Sequence, residues 1–167
     1  MITPEYCRVM ARYNRWQNGS LYAAAEALDG AARQADRGAH FGSIEATLNH
    51  LLWADHVWMS RLDGWTKPQV GIPGSVSFTA DWEELRSKRR ITDARITRWA
   101  EALAPGDLDG PLVWHSGALG RDVQKPLALC VMHLFNHQTH HRGQVHAMLT
   151  AAGAKPDDTD LFMVDDR

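Results

Sequence analysis

Two cysteines, Cys7 and Cys130, are too few to frame a disulfide scaffold in 167 residues. They suit a reducing compartment, so a cytoplasmic location is expected, with both thiols structural. The chain lacks a basic block and carries a net charge of -2, which argues against nucleic acid as a partner. It lacks any run of ~18 apolar residues, so no segment is expected to span a membrane. The charges spread through MITPEYCRVMARYNRW speak against a signal peptide or a membrane anchor. Strand signals are nearly absent. Only Leu112-Val113-Trp114 and the residues after Gly120 suggest a short hairpin.

Seven tryptophans and nine histidines are present instead. The length suggests one domain, 1–167, and a chain of this size buries roughly 70% of its unfolded surface. So many large rings imply a core, an interface or a pocket built from them.

Four long amphipathic segments organise the chain. Thr3 caps the first, residues 3–28, with Pro4 at its first position and Glu5 at the positive end of the helix dipole. Its apolar stripe is Val9, Tyr13, Trp16, Leu21 and Ala24, and Asp29-Gly30 marks its end. A polar, Gly- and Ala-rich connection follows over 30–42. Ser43 opens the second helix, 43–63, where Ile44, Leu48, Leu51, Ala54, Trp58 and Leu62 share one arc. His50 lies at the edge of that arc and His56 on the opposite side. Asp55 falls inside the arc, and a buried carboxylate needs partners; Arg142 or Arg61 are the expected ones.

Residues 64–79 contain three glycines and two prolines and read as a loop long enough to line a site. Thr79 caps a third helix, about 80–103, whose inward stripe includes Trp82, Leu85, Ile96, Trp99 and Leu103. Its RSKRR run reads as a solvated face. Pro126 starts the fourth helix and Gly153 closes it. Leu161, Phe162 and Met163 in the polar tail are expected to pack back onto the body. The pattern predicts an all-α chain, an antiparallel four-helix bundle.

The fourth helix carries five histidines: His133, His137, His140, His141 and His146. His137 and His141 stand four residues apart, which places their α-carbons about 6 Å apart on one face. Cys130, Leu134, Val145 and Met148 share that face, so both imidazoles point inward. Such a pair can converge on one metal ion, and a catalytic site adds a third protein ligand and leaves a position open. His50 is the third ligand that helical phase selects. Phase excludes His56. Cys130 lies seven residues before His137, roughly 10 Å along the axis, and cannot join a mononuclear site with His141. His137-Gln138-Thr139-His140-His141 has the outline of a zinc-protease motif. Gln138 stands where that mechanism needs a glutamate base, and this excludes the protease reading.

Four stretches carry a family resemblance: YNRWQNGSLY (13–22), GSIEATLNHLLWADHVWMSRL (42–62), HLFNHQTHHRGQVHAML (133–149) and TDL (159–161). The sequence resembles the DinB family of metal-dependent proteins, the DinB/YfiT-like superfamily. That resemblance implies a four-helix bundle, a divalent metal on His50, His137 and His141, and a homodimer. It also points to thiol-dependent enzymes, namely transferases of low-molecular-weight thiols onto a small electrophile and an isomerase. Zinc is the first candidate metal, with nickel or iron next. Asp55, Asn136 and Gln144, in that order, are the expected acceptors for the ligands' second ring nitrogens. Two functions follow: a metal-dependent transferase or hydrolase acting on a small molecule, or a non-catalytic, dimeric metal-binding stress protein.

Overall fold

The computed structural model describes residues 1–166, with side chains through Val164. Four long helices dominate: α1 (Pro4–Glu26), α3 (Ile44–Leu62), α4 (Trp82–Ala102) and α5 (Leu127–Ala151). A short helix α2 (Gly30–Gln34) interrupts the connection that the sequence left irregular. A two-stranded antiparallel sheet, β1 (Pro111–Ser116) and β2 (Arg121–Pro126), stands before α5. Two 3-10 turns cover Ile72–Ser77 and Leu161–Asp166.

The caps explain the boundaries. The Thr3 side chain accepts from the Tyr6 amide, and Ser43 accepts from Ala46, as their sequences predict. Asp29 caps α2 by accepting from Ala32, so it opens a helix as well as following one. The third long helix begins later than expected. Asp81 caps it through the Glu84 amide, while Thr79 gives both its amide and its hydroxyl to Asn49 Oδ1 on α3. Pro126 is the residue before α5 rather than its first, because it also closes the hairpin opposite Pro111. Gly153, at φ 82°, ends α5 in the left-handed region that glycine enters without strain.

Helices α1 and α3 each pack against both α4 and α5. Two apolar clusters fill the space between them. One gathers Cys7, Tyr13, Met59, Ile96, Leu134 and Phe135; the other gathers Leu21, Leu48, Leu52, Leu85, Val145 and Leu149. Each such side chain contributes about 1.5–3 kcal/mol by leaving water. Helix α3 is buried on nearly every side, since α2 and the Ile72–Ser77 turn cover what α4 and α5 do not. Trp58 and Leu62, placed inward by phase, are only partly buried at its C-terminal end.

A polar layer runs between the two clusters. Arg89 of α4 reaches Asp55 at 2.7 Å and Asp93 at 2.9 Å, with all three side chains buried. Gln138 of α5 donates to the other Asp55 oxygen, and Asn18 of α1 donates to Asp93. Arg142, also buried, donates to Asn14. Asp55 therefore pairs with Arg89 and not with Arg142 or Arg61. The RSKRR run is solvated only in part, because Arg89 turns into the core.

The tail is anchored by polar contacts more than by its apolar triplet. Tyr13 donates to the Thr159 carbonyl at 2.6 Å, and Gln17 to that of Asp158 at 2.9 Å. Val164 is buried in the core, whereas Leu161 and Phe162 are exposed. Among the described residues, no helix is long and apolar enough to cross a membrane.

Candidate metal centre

His50, His137 and His141 converge. Each offers a ring nitrogen, and these nitrogens lie within 4.8 Å of one another. His50 sits on the middle turns of α3, and the other two sit one turn apart on α5. The α3–α5 packing turns all three inward. His50 Nε2 and His137 Nε2 are 3.3 Å apart. Two nitrogens bound to one zinc ion at ~2.0–2.1 Å with tetrahedral angles stand about 3.3 Å apart. That pair is spaced for one metal ion, and the His141 nitrogen lies within 4.8 Å of both.

The second ring nitrogens of His50 and His141 are tied down. His50 Nδ1 bonds Ser75 Oγ at 2.9 Å, and His141 Nδ1 bonds Gln144 Oε1 at 2.8 Å. An amide oxygen only accepts, so His141 carries its proton on Nδ1 and leaves Nε2 with a lone pair. Ser75, fully buried, holds His50 in the same tautomer when its oxygen accepts. Phe41 stacks on the His50 ring at 3.9 Å between centroids and lies 5.3 Å from that of His141. Its position depends on the turn at Gly42, whose φ of 76° would strain a residue with a side chain.

Electrostatics favour neutral imidazoles. Burial, with the His141 ring next in effect, lowers the pKa of His50 to about 4. Burial and the neighbouring His141 and His50 lower that of His137 to about 3. Burial also lowers His141, against the opposing effect of Gln144. Neutral rings are the form that binds metal. The donor set therefore fits a divalent cation on geometry, tautomer and charge.

The expected supports divide. Gln144 does serve His141. Asp55 does not reach the imidazoles, because Arg89 and Gln138 take its oxygens. Asn136 is exposed. Ser75 and Phe41 went unrecognised, since both come from irregular segments with no periodicity. Ser75 lies within the 64–79 loop, which the sequence marks as long enough to line a site. His56 is apart from the cluster, as phase indicated. Its Nε2 bonds Thr92 Oγ1 of α4 at 3.1 Å, so it faces a helix rather than solvent. Cys130 and Cys7 are buried free thiols outside the cluster. His140 is exposed, and its ring packs beside that of His141 at 4.8 Å.

A cleft of about 520 Å³ opens from the His50 and His137 rings. Trp53, Trp58 and Trp114 wall it, together with His133, the 67–73 loop and the hairpin turn. The His133 ring lies 5.6 Å from that of His137 and 4.9 Å from that of Trp58.

No curated protein and no solved structure matches the sequence. The family model described as DinB family matches residues 1–166, and the chain belongs to the DinB family.

Proposed function

We propose that the chain is an antiparallel four-helix bundle that holds one divalent ion on His50, His137 and His141. We further propose that it is a metal-dependent enzyme acting on a small molecule, by thiol transfer to an electrophile or by hydrolysis. One observation carries the reading: three neutral imidazoles converge, and two of them, His50 and His137, line an open, ring-walled cleft. A site serving structure alone would be closed by a fourth protein ligand.

A divalent ion bound there supplies Lewis-acid activation of a thiol or water at neutral pH. The protein's own groups do the rest. Ser75 and Gln144 fix the ring orientations and tautomers of His50 and His141. Trp53, Trp58 and Trp114 keep the cleft walls apolar, which strengthens polar interactions inside it. His133, one turn from His137, is held below its ordinary pKa by burial and then by Arg61. It is therefore neutral at pH 7 and offers the cleft a proton acceptor. Imidazole ligands suit zinc first and nickel or iron next. The free thiols Cys7 and Cys130 suit a reducing cytoplasm, and the family resemblance supports a homodimer.

The test is a screen of zinc-loaded protein with several small thiols and electrophiles, following thiol consumption and product mass. Turnover that disappears in His137→Ala supports the enzyme. Full metal occupancy with no product from any pair would leave the non-catalytic, dimeric metal-binding reading in its place.

A further inference from the structure

The cleft beside the histidine cluster has a pronounced charge bias. Among the described residues that line it, Arg61 and Lys67 are the fixed cations and no carboxylate is present. This is unexpected in a chain where Asp and Glu outnumber Lys and Arg by 20 to 18. The hairpin residue His115 does face an acid, Asp122, but that carboxylate is 80% exposed.

Arg61 is the unusual group. Its guanidinium lies 4.6 Å from the ring centroid of Trp58 and 5.3 Å from that of Trp114. Burial lowers its pKa, the mark of a cation drawn partly out of water. No hydrogen bond or ion pair to Arg61 occurs among the described residues. Other inward-turned arginines are matched: Arg89 has two aspartates, and Arg142 has Asn14 and Thr139. A stacked guanidinium keeps its N–H edge free, and that edge fits a carboxylate.

Distance sets the ligand's shape. Eleven residues of α3 separate His50 from Arg61, a backbone rise of roughly 16 Å, and the guanidinium's place over Trp58, three residues nearer His50, shortens the span between the groups themselves. The rings of His137, His133 and Trp58 follow one another across that interval, each within 5.6 Å of the next. A molecule lying along them would meet imidazoles at one end and a cation at the other.

Resting on the enzyme reading above, we propose that the cleft takes an elongated organic acid. Its reacting group lies at the histidine cluster, its flat or apolar body lies on the tryptophans, and its carboxylate lies on Arg61, with Lys67 assisting. Arg61 is then a specificity-determining residue for that substrate.

The probe is 4-(mercaptomethyl)benzoate, compared with its neutral amide, titrated calorimetrically into zinc-loaded protein. The acid should bind about ten- to a hundredfold more tightly than the amide, the range for a hydrogen bond to a charged group. Arg61→Gln should bring the two within about threefold while zinc content stays at the wild-type level. Arg61→Lys, which keeps the charge, should retain part of the preference, and Lys67→Met should reduce it less than Arg61→Gln does. Equal binding of acid and amide by the wild type overturns the inference, as does an undiminished preference in Arg61→Gln. Zinc content separates the two readings. A protein without zinc that still prefers the acid through Arg61 overturns the metal reading and upholds this one. A zinc-loaded protein without the preference does the reverse.

Discussion

Replacing Arg89 with methionine should be among the most damaging single changes in this protein. Arg89 is 3% exposed and spans Asp55 at 2.7 Å and Asp93 at 2.9 Å, themselves 1% and 8% exposed as side chains. Methionine approximates the length of the side chain but removes the charge. Two carboxylates would then remain in the core, held only by Gln138 and Asn18. Removing one partner of a buried ion pair costs about 3–5 kcal/mol. For a chain of this size each kcal/mol lowers Tm by about 2–4 °C, so the expected loss is about 6–20 °C.

The loss should also depend on pH, with a definite sign. Burial already raises Asp93 to about 6 and raises Asp55, against the opposing Arg89 charge. Without Arg89 both rise further. Below those values the native state binds more protons than the unfolded state, whose aspartates titrate near 3.9. The variant's deficit relative to the wild type should therefore shrink as pH falls from 7 towards 5. Adding Asp55→Asn to the variant should recover part of the loss at pH 7. Calorimetric unfolding of the metal-free proteins at pH 7 and pH 5 measures each quantity. A loss below about 1 kcal/mol, or one that does not change with pH, would refute the reasoning.

Other expectations concern the histidine cluster. Ser75→Ala removes the oxygen at His50 Nδ1 and should weaken metal binding by about 10–100-fold, measured by competition with a chromogenic chelator. In the metal-free protein, His50 at about 4 and His137 at about 3 stay neutral in the native state when unfolded histidines take a proton near 6.5. These histidines should lower stability as pH drops from about 6.5 towards 4, against the opposite contribution of Asp93, and a His137→Gln variant with the wild type's pH dependence would contradict the neutral cluster. His56→Ala should keep full metal occupancy, since His56 faces Thr92; loss of metal there would break the assignment.

The clustering of three histidines was legible because helices repeat. His137 and His141 announce themselves by spacing alone, and the phase of α3 brings His50 rather than His56 to meet them. The supports were harder to see. Ser75 and Phe41 lie 25 and 9 residues from His50, in segments where nothing periodic says which side chain turns inward. The buried ion pairs were legible in principle. Arg89 and Thr92 fall in the same stripe as Leu85, Ile96 and Trp99, and a carboxylate at Asp55 calls for a cation opposite. The density of charge around Arg89 masked that phase. Helix α2 is not legible in the sequence because five residues carry too little pattern, and its Asp29 cap, followed by Gly30, has the signature of a helix end. Phe162 was expected to pack inward, but the backbone bonds from Tyr13 and Gln17 set the tail's course and leave it 83% exposed.

On the proposed reading, His50, His137 and His141 hold one metal ion together. Elemental analysis of wild-type protein and of His137→Ala, purified identically and checked for equal folding by circular dichroism, tests it most directly. About one divalent ion per chain is expected in the wild type and close to none in the variant. Equal metal content in the two proteins would contradict it.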